Sequence, residues 1–242
     1  MKKISILFIA LLTFTTGCVL PLRTTRVIGS GNSISEGRNV SDFNSISLSG
    51  IGTLLITQGS KESLKLTAED NIIEYLQSNV VGNNLRLDVR DFVYLEPTED
   101  IIYELTVVDL EKVDLSGLGD IKIESLKTSR LIFDISGSGD AELFGLDVNS
   151  LIIEISGLGN VMVAGEAETQ RVNLSGAGFY EAENLHSHEA KILISGAGKA
   201  VIWVESDLDI VLSGLGDFKY YGNPDQKSDI SGLGTVESLG EK

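Results

Sequence analysis

Along most of this chain apolar positions recur with a period of two, and the pattern restarts about every twenty residues. Val113/Leu115, Phe133/Ile135, Ile153/Ile155, Val172/Leu174, Ile192/Ile194 and Ile210/Leu212 are each separated by one residue. That spacing puts both members of a pair on one side of an extended strand. A second set follows a few residues later: Ile121/Ile123, Ala141/Leu143, Val161/Val163, Tyr180/Ala182, Ala200/Ile202 and Phe218/Tyr220. Between the two sets stands Ser-Gly-x-Gly, beginning at Ser49, Ser116, Ser136, Ser156, Ser175, Ser195, Ser213 and Ser231, with steps of 20, 20, 19, 20, 18 and 18 from Ser116 onward. Each unit predicts a strand, a glycine-containing bend and a second strand. A third short segment around Leu126, Leu146 and Leu185 closes most units.

One such unit cannot bury its own apolar face, whereas stacked units form parallel ladders around a continuous core. The expected fold is therefore all-β: a right-handed parallel β-helix, or β-solenoid, with coils of ~20 residues. Leucine-rich repeats need an L-x-x-L-x-L pattern that is absent, and neither a nine-residue nor a six-residue sub-period is present. The two glycines are expected on the inward side of the bend, where coils stack about 4.8 Å apart. A side chain there would collide or demand a forbidden backbone angle. The serines are expected to form a column whose hydroxyls bond the backbone or each other.

The regular repeats cover residues 111–242, and 29–110 are less regular. There Leu64/Leu66, Leu85/Leu87 and Leu105/Val107 predict degenerate coils or a short sheet continuous with the solenoid. Residues 70–77 predict one short helix, capped by Asp70, with Ile72, Ile73 and Leu76 on one face. Residues 29–242 are expected to form a single domain.

The start of the chain changes the picture. Lys2 and Lys3, an apolar run from Ile4 to Leu12, and Thr-Phe-Thr-Thr-Gly-Cys ending at Cys18 read as a secretory signal. Cys18 is the only cysteine, and it stands behind Gly17 where a bacterial lipobox places the lipidated residue, although Thr15 occupies the usual leucine position. Residues 1–18 are thus expected to be a lipoprotein signal peptide ending at lipidated Cys18, and 19–28 a tether. The expected location is the outer membrane, on its periplasmic or surface side, with the lipid anchor as the membrane contact. A lone cysteine excludes an internal disulfide, so stability must come from packing and backbone pairing. With Lys2 and Lys3 lost, the formal net charge goes from −16 to −18. No Lys/Arg cluster offers a footprint for phosphates, which excludes nucleic acid as a partner.

Candidate chemistry is sparse. His186 and His188 could hold a metal with Glu189, but an exposed histidine pair is expected to be solvated, and no metal or other cofactor is expected. Asp120, Asp140, Asn160 and Asp217 follow the bend, where Asp and Asn favour turns; a cation between Asp120 and Asp140 is the alternative. Glu124, Glu142 and Glu154 fit a solvated face, and no catalytic residue is expected. Eight residues after each Ser lies an outward column of Glu124, Phe144, Ala164, Glu183, Trp203, Tyr221 and Leu239. Trp203 and Tyr221 fall on adjacent coils. With Phe144 they are the candidate residues for a glycan or protein ligand, the alternative being that a loop or the chain terminus covers them. Between the glycines stand Leu118, Ser138, Leu158, Ala177, Ala197, Leu215 and Leu233. Strict alternation through the bend would make them an exposed apolar ridge suited to self-association as a homo-oligomer; a rotated bend would make them core.

Gly29-Ser30-Gly31 followed by Glu36-x-Arg38 and Phe43-x-x-Ile46, Asp70-Asn71 with Asn84-Leu85-Arg86-Leu87, and the Ser-Gly-x-Gly series together resemble the bacterial putative auto-transporter adhesins with a head GIN domain. The resemblance covers nearly everything after the tether. It implies a β-helical fold at or near the cell envelope and a role in adhesion, and brings no functional residues with it. The function expected on these grounds is a non-catalytic envelope lipoprotein that binds glycan or protein ligands. A self-associating envelope scaffold is the second reading, and a polysaccharide-active enzyme the third.

Overall fold

The computed structural model describes residues 24–242; Cys18 and the expected signal peptide lie outside them. The N-terminal part contributes β1 (Thr25–Ile28), β2 (Ser33–Arg38), β3 (Ser45–Leu48), β4 (Thr53–Gln58), β5 (Ser63–Glu69), β6 (Leu76–Val81), β7 (Asn84–Val89), β8 (Val93–Glu96) and β9 (Ile102–Val107). The regular part contributes β10 (Lys112–Leu115), β11 (Ile121–Ile123), β12 (Leu126–Ile135), β13 (Ala141–Ile155), β14 (Leu158–Leu174), β15 (Ala177–Ile194), β16 (Lys199–Leu212), β17 (Asp217–Tyr221), β18 (Asp225–Ile230) and β19 (Val236–Ser238).

From β3 and β4 onward the coils of the solenoid stack in parallel, in register apart from short irregularities in β13, β14 and β15. The chain is a β-solenoid, and the period-two residues line its interior. One buried column runs Ile46, Val113, Phe133, Ile153, Val172, Ile192, Ile210, and its neighbour runs Leu48, Leu115, Ile135, Ile155, Leu174, Ile194, Leu212. Across the core a third runs Leu54, Ile121, Ala141, Val161, Tyr180, Ala200, Phe218. Ala200 stands between the rings of Tyr180 and Phe218 along it, and its small side chain leaves them room.

The bends repeat one hydrogen-bond arrangement. In each coil the N–H groups of the Ser and of the first Gly both donate to the carbonyl before the Ser of the preceding coil, as Ser136 and Gly137 do to Leu115, at 3.0 Å each. This brings glycine backbones against each other. A Cβ on Gly117, Gly137, Gly157, Gly176, Gly196, Gly214 or Gly232 would lie 2.0–2.2 Å from the carbonyl oxygen of the equivalent glycine one coil earlier. The glycines are therefore required by contact along the stack. Backbone angle is not the reason, since among those of the repeat only Gly52 and Gly139 have positive φ. The expected hydroxyl column does not form: the repeat serines are exposed, and among the described residues their hydroxyls make no hydrogen bond.

The N-terminal part departs from the expectations in three places. Residues 25–28, expected as tether, form β1, which pairs in parallel with β8 as a separate two-stranded sheet. The helix expected over 70–77 contracts to a single 3-10 turn, Ile73–Tyr75, without a side-chain cap. Asp70 is engaged elsewhere, accepting from Ser30 and Asn32, while Leu76 and Gln77 already belong to β6. Finally, β7 and β9 continue the parallel stack beneath β3 and β4, but β2, β5 and β6 are antiparallel and close that end. The β6–β7 hairpin turns on Gly82-Asn83, with Gly82 at φ +66.

Candidate functional site

The outward columns are where chemistry can lie, because the interior is filled. The turn aspartates settle first. Asp120 Oδ1 accepts the backbone N–H of Asp140 at 3.0 Å, and Asp140 Oδ1 accepts both the backbone N–H and the side-chain amide of Asn160 at 2.9 and 3.0 Å. Asp217 repeats the arrangement, accepting from the Thr235 hydroxyl at 2.8 Å, which holds its carboxyl below the usual range. Each carboxylate thus fastens its own position in the next coil.

The charged columns follow the same logic. In-register parallel stacking sets each residue beside its counterpart one coil on, so neighbours of opposite sign attract. Lys122–Glu142, Lys127–Asp147, Lys191–Asp209 and Lys219–Glu237 are such pairs, at 3.0, 2.5, 2.7 and 2.8 Å. Glu142 is thereby tied to Lys122. Glu154 stands on another face, in a column with Asp114 and Asp134, where partial burial raises the Asp134 carboxyl and the neighbouring Asp114 and Glu154 raise it further.

His186 and His188 point outward from β15 and share one carboxylate, Glu205 of β16: Glu205 Oε2 lies 3.7 Å from His186 Nε2 and 3.3 Å from His188 Nδ1. Their shared carboxylate is on the next coil and is not Glu189, the residue that a metal reading would have joined to them. Among the described residues no group of three His, Cys, Asp or Glu is placed to hold a metal ion.

Trp203 and Tyr221 are brought together as expected: they are in register between β16 and β17. Both are half-buried, and Lys242 folds back over them. Its ammonium stands 5.3 Å from the Trp203 ring centre and 5.5 Å from that of Tyr221, and it donates to Glu183 O and, at 3.0 Å, to Asn184 Oδ1. The column itself is not continuous. Register shifts in β15 between Ala182 and His186 set His186, not Glu183, beside Trp203, with ring centres 4.5 Å apart. Phe144 is 40 % exposed on β13, three coils from Trp203 and so about 14 Å away, and does not join the pair.

Sequence reasoning missed what holds this region. Behind the aromatic row runs a buried relay. The Tyr180 hydroxyl donates to Gln170 Oε1 at 3.1 Å, Gln170 Nε2 to Ser187 Oγ at 2.5 Å, and Ser187 Oγ to the carbonyl of Trp203 at 2.9 Å. Gln170 replaces an apolar residue in the column Leu131, Leu151, Gln170, Ala190, Leu208, and that break in the pattern was its one signal. A second cluster lies near the N-terminal end. Glu69 accepts from Gly31 N–H, Thr98 N–H and the Thr98 hydroxyl at 2.6–3.0 Å, and the last of these chiefly holds its carboxyl below the usual range. Beside it, Ser30 and Asn32 do the same for Asp70.

The ridge between the glycines is exposed. Leu118 and Leu158 are each 60 % accessible, Leu215 65 % and Leu233 86 %. Alternation therefore continues through the bend. Ile51, Leu118, Ser138, Leu158 and Ala177 bridge directly in sequence, and Ala197, Leu215 and Leu233 extend the line. It spans eight coils, about 34 Å at the spacing of paired strands.

A family profile described as "Putative auto-transporter adhesin, head GIN domain" matches residues 42–224, three-quarters of the chain. A solved structure of a putative adhesin from Bacteroides fragilis is similar at 26 % identity, covering 88 % of this chain and 100 % of that one, with a TM-score of 0.85. Two proteins share the fold at lower identity. One is a putative adhesin from Parabacteroides merdae, 22 % identical over 89 % of this chain and 99 % of that one, with a TM-score of 0.72. The other is a putative lipid binding protein from Parabacteroides distasonis, 21 % identical over 89 % and 100 %, with a TM-score of 0.70. No curated protein matches the chain.

Proposed function

The chain belongs to the family of putative auto-transporter adhesins with a head GIN domain, and on that premise we propose that it is a non-catalytic adhesion module of the cell envelope. In this reading Cys18 is lipidated and tethers the solenoid to the outer membrane, and the rigid β-faces are presented to a protein or glycan ligand. The observation that carries the reading is the ridge of Leu118, Leu158, Leu215 and Leu233, mostly apolar, broken only by Ser138, and open to solvent on a framework that cannot collapse to hide it. Contiguous exposed apolar surface on a folded protein marks an interaction site.

The test uses the labelled full chain over a glycan array and over immobilised extracellular-matrix proteins, with Leu158→Glu/Leu215→Glu as the comparison. Saturable retention that the double variant reduces at least about tenfold supports adhesion through the ridge. Retention on neither surface, with concentration-dependent self-association abolished by the same variant, would establish the scaffold in its place. Release of reducing sugar from a polysaccharide would establish catalysis. The tether is checked separately: Cys18→Ser should move the protein from the membrane fraction to the soluble fraction, and surface biotinylation of intact cells reports its side.

A further inference from the structure

The groups gathered over Trp203 are those that recognise an alkylammonium ion. Two aromatic rings, Trp203 and Tyr221, stand side by side with their centres 5.3 and 5.5 Å from the Lys242 nitrogen. Two oxygens, Glu183 O and Asn184 Oδ1, accept its N–H groups. An ammonium over ring faces is drawn to their negative quadrupole, and the more so where water is excluded. A third ring, that of His186, packs 4.5 Å from Trp203 and backs it from the preceding coil. The Ser187 hydroxyl anchors the Trp203 backbone from within the core.

These surroundings do not suit an anion. The chain carries a formal charge of −16, which draws cations toward it and repels acidic partners. The acceptors are a carbonyl and an amide oxygen, which take N–H groups and offer nothing to a phosphate or carboxylate. The bulge that replaces Glu183 with His186 beside Trp203 also turns the Glu183 carbonyl toward the ammonium, so the acceptor exists because the register shifts.

We propose that the Trp203–Tyr221 pair, with Glu183 O and Asn184 Oδ1, is a lysine-binding subsite that Lys242 occupies in the free protein and that a lysine side chain of a protein ligand takes over on binding. The proposal rests on reading the chain as a binding module and adds to it the chemistry of one contact. Lys242 acts as a placeholder: it keeps the rings from presenting bare apolar surface, and it competes as an intramolecular ligand. Such a competitor acts at a millimolar effective concentration, so a single free lysine displaces it poorly, whereas a partner that also engages the apolar ridge can do so.

Trp203 is the only tryptophan in the chain, so its fluorescence reports this site alone. The full chain and its Lys242→Gln variant are titrated with Nα-acetyl-lysine N-methylamide, with the Nε-acetylated analogue as the uncharged control and glucosamine as a sugar-borne ammonium. Lys242→Gln should itself shift the Trp203 emission. It should then bind the lysine amide saturably, at least about tenfold more tightly than the unaltered chain, and leave the uncharged analogue unbound. Adding Asn184→Ala or Tyr221→Leu should remove that binding while the thermal melt is retained. Equal affinity in the two proteins, equal binding of the uncharged analogue, or no saturable response in Lys242→Gln would overturn the proposal. Preference for glucosamine over the lysine amide would overturn it in favour of a cationic glycan. Failure here leaves the adhesion assay of the ridge untouched, and failure there leaves this titration intact, so the two readings fall separately.

Discussion

At Gly157 an added methyl group would sit 2.1 Å from the carbonyl oxygen of Gly137, and neither backbone can yield without breaking the ladder on both sides. Gly157→Ala is therefore expected to destabilise the fold by about 3 kcal/mol or more, at the upper end of what overpacking does. Gly37→Ala, with nothing within 4 Å of the new Cβ, should stay within about 0.5 kcal/mol. Urea denaturation of the two variants checks this, and equal midpoints would refute the contact argument. Glu69 and Asp70 make a pH prediction at the same scale. Both carboxyls are held below their ordinary range, by the Thr98 hydroxyl and by Ser30 and Asn32 respectively. Their contribution is thus fully present above the unfolded pKa values near 4, and is lost as pH falls through the lowered folded values. Amide exchange at Gly31, whose N–H donates to Glu69, should be slow at neutral pH and should speed up, relative to a core amide such as that of Ile153, as pH falls below the ordinary carboxylate range.

Among the elements, β15 departs furthest from the repeat. Its register against β16 shifts twice, between Ala182 and His186 and between Ser187 and Glu189. Ser187 faces inward in the column Val148, Ala167, Ser187, Val204, where it completes the relay from Tyr180 through Gln170 to the Trp203 carbonyl. The side chains of Tyr180, Gln170 and Ser187 are all buried, so breaking the relay in one place costs more than the group removed. Ser187→Ala should lower stability by about 1–3 kcal/mol, by stranding the Gln170 amide, and should broaden the Trp203 emission. The triple change Tyr180→Phe/Gln170→Leu/Ser187→Ala removes every partner together and should cost less than the sum of its parts, as chemical denaturation of the set would show. The 3-10 turn teaches the converse lesson. Asp70, Ile72, Ile73 and Leu76 have helical spacing, but Asp70 is claimed by Ser30 and Asn32, and Leu76 pairs with Val89 in the β6–β7 hairpin. Tertiary partners outbid a local preference worth only tenths of a kcal/mol per residue.

For the molecule as a whole, the two ends of the stack are handled differently. Antiparallel β2, β5 and β6 close the end nearest β1. At the other end β18 and β19 pair no further strand among the described residues, and two of the inward columns turn polar. Gln226 lies on Leu208 and Ser228 on Ile210, with the Tyr220 hydroxyl donating to Gln226 at 2.7 Å. An open, apolar edge would template another coil, and polar inward residues discourage it. Gln226→Leu/Ser228→Ile should therefore produce concentration-dependent, end-to-end association by sedimentation velocity, where the unaltered chain shows none through this edge.

The sequence by itself determined the solenoid, its period, the core columns and the pairing of Trp203 with Tyr221. Each of these follows from a local rule, alternation on a strand or glycine at a close approach, repeated until it could not be accidental. Only the tertiary structure decided that Glu205 serves the histidines, that Asp120 and Asp140 fasten successive coils, that Phe144 stands apart from the aromatic pair, and that Lys242 lies across it. Those facts depend on register, and two short bulges in β15 were enough to move it. Such a shift leaves almost no mark in the hydrophobic pattern, because the residues that cause it still alternate, while every outward neighbour it sets is changed.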